Sequence, residues 1–376
     1  MKILVVDAAN LTLHYTVPFC NSLQERGHSV KLVCSSNNMN LDYDLQFFSY
    51  FYLSKIFFPH KVIKFINYII GVFKTISFIK NHKYDVVHFQ MTPLPLLDIF
   101  LIKLIRNHTQ IGATIHNTTP FHGNRVSLIQ TIGFNKLLFH YNFLICHTSY
   151  SANILKNDFN ISSKKIYISD HPLFNEPKEL VLSKSYSLSK TNNILFFGTL
   201  SEYKGIDVLL KAFSLLPESL KLHTILTIAG KPLMNIEPLQ ALAKDLKINE
   251  FIEWKIGWIQ NSEIDNLFDH SDLMIMPYTH IDASGVLVKA MEFNIPVIAS
   301  NLGGFQELIN NKETGLLFEP NNYKELSEHI FNLLQNPSIK ENMRKSINSK
   351  ALSLHTWDDL ANTCVNAYRN EPQGDI

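Results

Sequence analysis

The sequence predicts an α/β protein of two doubly wound parallel sheets that face each other across a cleft. The chain has 376 residues, which is more than one hydrophobic core usually serves, so two domains are expected. Short β-branched runs alternate with amphipathic helical segments in both halves, as in repeated βαβ units. Several runs are apolar throughout, which is typical of parallel strands buried on both faces.

The first half contains six predicted strands, separated by helical segments. The segment 14–26 is predicted as a helix, because its apolar residues recur at helical spacing and Gly27 follows as a C-terminal glycine. The strands are KILVV (2–6), VKLVC (30–34), DVVHF (85–89), IGATI (111–115), FLIC (143–146) and KIYIS (165–169).

The second half repeats the pattern with six more predicted strands. In the segment 205–216 the apolar residues share one helical face, which predicts a helix packed on the sheet. The strands are ILFFG (194–198), TILTIAG (224–230), FIEW (251–254), LMIMP (273–277), IPVIAS (295–300) and GLLFE (315–319).

The domain boundary is expected in the segment 172–192, where prolines, serines and lysines replace core residues. We therefore expect one domain at 1–172 and a second at 173–355. A final helix at 356–370 is expected to pack back on the first domain.

Composition favours a globular cytoplasmic protein. Apolar residues make up 46% and charged residues 18% of the chain. The apolar start of the chain is interrupted by Asp7 and is too short for a signal peptide, and Lys74 interrupts the longest apolar stretch. The four cysteines are far apart without a C-x-x-C spacing, so neither a disulfide framework nor a metal site is expected.

Charge is distributed unevenly between the halves. Residues 1–170 carry 16 Lys/Arg and 8 Asp/Glu, whereas residues 171–376 carry 18 and 25. The region 46–83 is basic and rich in Phe and Tyr, so it could contact nucleic acid, an acidic substrate or an anionic membrane surface. A solvated face over an ordinary core is the simpler alternative. We favour the membrane surface and expect no nucleic-acid partner.

Three strand–loop–helix segments of the second half are suited to binding an anion. The first runs from Phe196 to Gly205 and includes Gly198 and Lys204, the second is 277–291 and the third is 300–307. Glycine permits close backbone approach, and helix N-termini attract negative charge. Each segment alone could also be an ordinary βα turn or helix cap. Because all three occur in order in one domain, an anion site is favoured.

These segments carry the resemblance to a known family. The region 193–335 resembles the retaining glycosyltransferases of group 1, also called family four, which have GT-B architecture. The matching words are FFGTLSEYKGIDVLLKAF, LTIAGKP, SDLMIMPY, SGVLVKAMEFNIPVIAS, NLGGFQELI and NKETGLLFEPNN. The words DVVHFQ, ATIHNTTPFH and LICHTSYSANIL of the first half match more loosely. The resemblance implies two Rossmann-like domains, a nucleotide-diphosphate sugar donor, no metal or other cofactor, and retention of anomeric configuration.

The resemblance also assigns site residues by position. It implies that His116 and Lys204 lie at the reaction centre and that the donor is held by residues of the carboxy-terminal domain. These residues are Gly198, Thr199, Lys204, Gly257, Trp258, Ile259, Asp282, Ser284, Gly285, Val286, Lys289 and Glu307. Lys204 and the amides of 284–286 would bind the diphosphate, 257–259 would frame the nucleobase, and Glu307 follows the Gly303-Gly304 turn.

The sequence departs from the family pattern at several positions. Thr199 stands where an arginine is common. Two family glutamates separated by seven residues fall on Ile281, with Asp282 beside it, and on Lys289. A lysine cannot accept the ribose hydrogen bonds of a glutamate, so the nucleoside contacts differ from the family pattern. The glycine pair expected after the first strand is replaced by residues 8–10.

The expected function is sugar transfer to a glycan or lipid-linked acceptor in bacterial surface polysaccharide synthesis, by a hexosyltransferase that needs no metal. It would work in the cytoplasm, at the inner face of the membrane. A GT-B sugar-nucleotide epimerase and a non-catalytic partner subunit are the alternatives. The motif Asp42-Tyr43-Asp44 has the form of a metal-binding D-x-D, but its predicted loop position favours coincidence.

Overall fold

The computed structural model describes residues 1–8, 12–35, 47–48, 60–107, 109–118, 128–175 and 191–371. The described residues divide into one unit that runs to residue 172 and resumes at 355, and a second unit at 173–354. Most of the predicted linker 172–192, the D-x-D motif at 42–44 and much of the region 46–83 lie outside the described residues.

The first unit is built on a seven-stranded parallel sheet with the order β3-β2-β1-β4-β5-β6-β7. All six strands predicted from the first half are confirmed, and β3 was not predicted because two residues carry no periodicity. The strands are β1 (Lys2–Asp7), β2 (Ser29–Cys34), β3 (Phe47–Phe48), β4 (Val86–Met91), β5 (Gln110–Ile115), β6 (Phe143–Cys146) and β7 (Ile166–Ile168).

Helices flank this sheet. The helices are α1 (Leu13–Glu25), α2 (His60–His82), α3 (Pro95–Ile105), α4 (Leu128–Thr131), α5 (Phe134–Phe139) and α6 (Ser149–Asn157). The first helix ends as the sequence indicates, since Gly27 takes a left-handed φ of +80° and its N–H donates to the carbonyl of Gln24.

The second unit contains a six-stranded parallel sheet with the order β10-β9-β8-β11-β12-β13. All six predicted strands of the second half are confirmed. They are β8 (Asn192–Phe197), β9 (Thr224–Gly230), β10 (Ile252–Ile256), β11 (Leu273–Met276), β12 (Val297–Ser300) and β13 (Gly315–Phe318).

The helices around the second sheet follow from its strands. They are α7 (Ile206–Ser214), α8 (Glu218–Lys221), α9 (Glu237–Asp245), α10 (Asn261–Asp269), α11 (Gly285–Glu292), α12 (Gly303–Leu308), α13 (Tyr323–Gln335) and α14 (Pro337–Ser353). The apolar face predicted for 205–216 is observed in α7, where Ile206, Leu209, Leu210 and Phe213 are buried.

A last helix, α15 (Trp357–Tyr368), belongs to the first unit. It packs against α1, β6 and β7, and its residues Leu360, Ala361 and Cys364 are fully buried. Thr356 caps it in a reciprocal capping box with Asp359. The helix therefore completes the core over the first sheet. All four cysteines are buried.

The strand order of the second sheet alone indicates where a ligand would bind. The chain reverses its direction of strand addition between β8 and β11, and ligands of open α/β sheets bind at this switch point, beyond the carboxyl ends of the strands. The loops after β8 and β11 meet there. A Cβ on Gly205, whose φ is +65°, would lie 2.0 Å from the carbonyl oxygen of Pro277. This close approach requires glycine.

Within the described residues, no helix has both the length and the apolar character needed to cross a membrane.

Candidate functional site

Lys204 is the buried cation at the switch point of the second sheet. It ends the 3-10 helix Glu202–Lys204 that follows β8, and it is only 5% exposed. Its Nζ lies 4.8 Å from the ring centroid of Tyr278, on the loop after β11. Among the residues that the structure describes, none accepts a hydrogen bond or forms an ion pair with this Nζ. Within the described part of the chain, the partner of this ammonium at the switch point is therefore the ring of Tyr278.

Gly198 and Val286 complete the surroundings of the Lys204 ammonium. Gly198 has a φ of +116°, and a Cβ built on it would lie 2.8 Å from Lys204 Nζ and 3.5 Å from Val286 Cγ2. A larger residue at 198 would occupy the space in front of the amine. The first strand–loop–helix segment and the start of α11 thus converge on one point.

Burial lowers the pKa of Lys204 from 10.5 to about 8. The amine is still largely protonated at neutral pH, and burial is the cause of its lowered pKa. A buried charge without a partner is costly, so the arrangement favours an anionic ligand. The same anion would restore the ordinary pKa of the amine.

The N-terminus of α11 supplies the second positive element. Ser284 is buried and caps the helix, since its Oγ accepts the N–H of Leu287 at 3.2 Å. The first N–H groups of a helix have no intrahelical acceptor and attract anions together with the helix dipole. The amides of Gly285 and Val286 are therefore free to bind an anion beside Lys204.

The loop between β11 and α11 is tied to the loop after β8. The N–H of Thr279 donates to the carbonyl of Tyr203 at 2.7 Å. Asp282 is 1% exposed, and its Oδ1 lies 3.4 Å from Nε2 of His280. This loop thus holds Lys204 and α11 in fixed relation within the second unit.

Lys289 has a different environment from the one expected of a donor-binding residue. Its Nζ lies 2.9 Å from Asp265 Oδ1 and 3.3 Å from Glu292 Oε2. Glu292 is 1% exposed, and its Oε1 accepts the backbone N–H groups of Asn175, at 3.0 Å, and of Phe174. The charge of Lys289 is therefore compensated inside the protein, and the residue is part of an ion-pair network that anchors the start of this unit.

The other predicted donor residues lie further along the carboxyl edge of the sheet. Thr199 and Glu307 are exposed. Gly257 (φ +141°), Trp258 and Ile259 follow β10, which is separated from β8 by β9. Trp258 is 80% exposed, so a flat apolar surface is presented beyond the strand end. The structure thus brings Gly198, Lys204 and Val286 together, and the roles of the remaining residues stay predictions.

In the first unit His116 follows β5, at the carboxyl edge of that sheet. Its Nε2 lies 3.1 Å from Oε1 of Gln90, which lies near the carboxyl end of the neighbouring strand β4. The His116 ring stands edge-on to Tyr15, with centroids 4.9 Å apart, and lies 5.6 Å from His147. Burial, with added repulsion from His147, His171, His14 and His88, lowers the pKa of His116 well below 6.5. His116 is therefore neutral at physiological pH.

Two residues of these sites were missed by the sequence reasoning. Tyr278, under the Lys204 amine, directly follows the proline that ends the word LMIMP, so its place after a strand was a usable signal. Gln90, the partner of His116, ends the word DVVHFQ at the equivalent place. Neither has a residue type that marks a site by itself.

Family models match both units. Residues 180–351 match the model described as Glycosyl transferases group 1, and residues 14–169 match Glycosyltransferase Family 4. Together the two matches take in most of the chain.

Among curated proteins, the chain is similar to an uncharacterised glycosyltransferase of Methanocaldococcus jannaschii, with 26% identity over 47% of this chain and 44% of that protein. It is also similar to the O-antigen chain mannosyltransferase B of Escherichia coli, with 24% identity over 56% of this chain and 54% of that protein. The chain thus spans about half the length of the curated relatives it matches.

Solved structures share the fold over nearly the whole chain. Sucrose-phosphate synthase from Thermosynechococcus elongatus has a TM-score of 0.78 at 15% identity, covering 98% of each chain. Anabaena HepE in complex with UDP-glucose has a TM-score of 0.75 at 14% identity, covering 98% of this chain and 100% of that one. At this level of identity the likeness concerns the fold.

Proposed function

We propose that this chain, whose two units match the models of group 1 and family 4 glycosyltransferases and which has the GT-B fold, transfers a hexosyl group from a nucleotide-diphosphate sugar to a glycan or lipid-linked acceptor, with retention of configuration. The acceptor class follows the relatives, one of which is an O-antigen mannosyltransferase. We place the reaction in bacterial surface polysaccharide synthesis, at the cytoplasmic face of the membrane.

The observation that supports the donor is the uncompensated ammonium of Lys204. A lysine that is 5% exposed, without an acceptor in the described part of the chain, is suited to a ligand that brings negative charge. The amides at the start of α11 bring further donors to the same point. Two adjacent phosphates would use both elements at once, whereas a single carboxylate would use one.

The chemistry follows from where charge develops. When the bond between the sugar and the diphosphate breaks, the sugar becomes oxocarbenium-like and negative charge accumulates on the departing phosphate oxygens. Lys204 and the α11 amides are fixed before the reaction, so they stabilise that charge without reorganising. Binding and orientation of the acceptor hydroxyl supply the remainder of the rate enhancement.

His116 is proposed to contact the reacting sugar or the acceptor hydroxyl. In the neutral imidazole, Nε2–H donates to Gln90 Oε1, so Nδ1 is left to accept a hydrogen bond without adding a charge. This role suits a residue that orients a hydroxyl.

We propose that the transfer needs no metal. The positive charge that a metal ion would otherwise provide comes from the Lys204 ammonium and from the helix N-terminus at 284–286. Transfer in the presence of a chelator is expected to match transfer without it, and recovery that required added Mg²⁺ or Mn²⁺ would contradict metal independence.

The transfer proposal is tested by replacing Lys204 with methionine, which keeps the length of the side chain. Because one preorganised donor is removed from the leaving group, we expect turnover to fall by about two to three orders of magnitude. Lys211→Met is the matched control, since Lys211 lies on α7 and pairs with Asp207 at the surface. It should keep wild-type turnover.

The assay follows UDP-, GDP- and ADP-sugars by mass spectrometry with and without added acceptor. Transfer of the sugar to the acceptor supports the proposal, and proton NMR of the product reports its anomeric configuration. Epimerised sugar nucleotide without transfer would favour an epimerase. Failure to bind any of the nucleotides would favour a non-catalytic partner subunit.

A further inference from the structure

The first unit exposes a group of large apolar side chains on one side. In this unit, all of the large apolar residues that the structure shows as exposed lie between 65 and 139, on or next to α2, α3 and α5. They are Phe65, Ile66, Phe73, Leu96, Phe100, Leu104, Ile132 and Phe139, which are 40–57% exposed. We call this set the α2–α3 face. Scattered exposed apolar residues are ordinary, but a concentration of this kind marks an interaction surface.

The members of the α2–α3 face are neighbours in space. The rings of Phe73 and Phe100 lie 6.2 Å apart, which joins α2 to α3. Leu96 joins α3 to the start of α5, because its Cδ2 lies 2.7 Å from where a Cβ on Gly133 would be. Leu96, Phe100 and Leu104 recur every fourth residue along α3, so they form one stripe. Phe73 and Phe100 therefore link α2 to α3, and Leu96 extends the apolar surface to the start of α5.

Among the described side chains of α2, α3 and α5, the exposed Asp, Glu, Lys and Arg residues are all lysines. Exposed Lys74 and Lys80 lie on α2, exposed Lys103 on α3 and exposed Lys136 on α5. Burial, with added repulsion from Lys103, Arg106 and Lys165, lowers the pKa of His140, so these cations lie near that ring.

Carboxylates do not balance those charges. Between residues 60 and 140 the sequence contains two acids, Asp85 and Asp98. Asp98 is 1% exposed and accepts the hydroxyl of Tyr68 and the N–H of Leu94. Asp85 accepts the backbone N–H of Lys2, at 2.7 Å. Neither acid stands beside the exposed lysines as a partner on the α2–α3 face.

We propose that the α2–α3 face docks on an anionic lipid bilayer, with Phe73 and Phe100 entering the headgroup region and the lysines contacting lipid phosphates. A surface that combines aromatic and aliphatic side chains with cations alone has the chemistry of an interfacial membrane anchor. A second copy of the chain would place cations against cations across a symmetric interface, so it fits less well.

This inference deepens the membrane association contained in the proposed function, and it assigns that association to named side chains. The sequence singled out 46–83, whereas the structure extends the surface to α3 and α5, which are distant in the chain. Binding to lipid requires neither donor nor acceptor. It can therefore be measured apart from the transfer reaction.

The experiment is co-sedimentation of the full chain with vesicles of equal parts phosphatidylcholine and phosphatidylglycerol, compared with phosphatidylcholine alone. The wild type should bind the anionic vesicles and release them at high salt. The variants Lys103→Glu/Lys136→Glu and Phe73→Ser/Phe100→Ser should each bind at least about tenfold more weakly, because each removes one of the two contributions.

Matched controls replace exposed residues of the second unit with the same chemistry. Lys244→Glu/Lys247→Glu and Leu215→Ser/Leu222→Ser should bind as the wild type does. Circular dichroism checks that each variant is folded. In a separate Phe73→Trp variant, quenching of the new tryptophan by brominated lipid would show that this position enters the bilayer.

Three results would overturn the inference. The first is a wild type that does not bind anionic vesicles at low salt, and the second is equal loss of binding in variants and controls. The third is a dimer in analytical ultracentrifugation that the Phe73→Ser/Phe100→Ser variant abolishes, which would make a second copy the occupant. If vesicle binding fails while Lys204→Met still loses transfer, the docking inference falls and the proposed function stands.

Discussion

Lys204 acquires its properties from its position and not from its residue type. Lys204 and Lys289 are both lysines at the carboxyl edge of the second sheet, but Lys289 is paired with Asp265 and Glu292. Lys204 instead lies beside the ring of Tyr278, and Gly198 and Val286 are its other neighbours. Position along the family pattern suggested a donor role for both. The separation of the two depends on Asp265, which is distant in the chain, and on the burial of Glu292 beside Lys289, so the sequence alone could not provide it.

A proton-linked binding experiment tests the state of the Lys204 amine. Its pKa of about 8 in the free protein should rise when a diphosphate binds, because the anion favours the charged form. Binding of the nucleoside diphosphate should therefore take up protons at pH 8 to 10, and little at pH 6. Calorimetry in buffers of different ionisation enthalpy measures this uptake.

The Lys204→Met variant is the control for that experiment, since it should show no such uptake at pH 9. An uptake that is the same in the variant would mean that another group is responsible. The free amine also affects folding. Because the folded pKa lies below the unfolded value of 10.5, the unfolded chain binds more protons between pH 8 and 10.5. Stability should therefore rise with pH across that window.

At the scale of elements, the strands and the order of the loops were predictable from the sequence, because buried parallel strands are recognisable as apolar runs. The contacts between loops were not. Gly205 packs against the carbonyl of Pro277, and a Cβ on Gly230 would lie 1.8 Å from the carbonyl of Gly198. Those distances depend on how β8, β9 and β11 lie side by side, which no single segment specifies. The anion site was thus predictable as three turns, but not as one geometry.

Gly205→Ala tests the importance of the close approach between the loops after β8 and β11. Gly205 and Gly27 both have a left-handed φ, +65° and +80°, so alanine costs about 1 kcal/mol of backbone strain at either position. Only Gly205 also meets backbone, 2.0 Å from the oxygen of Pro277, whereas nothing lies within 4 Å of a Cβ on Gly27. Gly205→Ala should therefore lose more stability in urea titration and also weaken nucleotide binding. Equal losses in the two variants would contradict this account.

At the scale of the whole molecule, the two units differ in their response to acid. The first unit buries several neutral histidines, and burial lowers the pKa of His88 and His171 to about 3 and that of His147 to about 4. His88 is held by Tyr368 of α15 at 2.7 Å and by Thr114 at 2.8 Å. His147 and His171 each follow a strand, whereas His88 lies within β4, and the packing of these rings cannot be derived from their positions in the sequence.

The first unit is expected to lose stability below pH 6.5. With folded pKa values below the unfolded value of 6.5, the histidines are protonated only on unfolding, and each destabilises the fold by about 2 kcal/mol at pH 5. Asp98 acts in the opposite direction, because burial raises its pKa to about 7. Because the buried histidines together outweigh Asp98, the net effect from pH 7 to pH 5 should be a loss of stability.

Urea titration at the two pH values measures that loss. His171→Gln should reduce the difference, and His223→Gln, which changes an exposed ring of the second unit, should not. Equal urea midpoints of the wild type at pH 7 and pH 5 would contradict the account of the buried histidines.

The most direct test of the donor site compares the dissociation constants of nucleoside diphosphates and monophosphates, measured by calorimetry with UDP, UMP, GDP and GMP. If Lys204 and the α11 amides bind the second phosphate, the wild type should prefer the diphosphate by about tenfold or more. Lys204→Met should lose most of that preference, while Lys211→Met keeps it. The same preference in the wild type and in Lys204→Met would contradict the central claim that this buried lysine holds the donor diphosphate.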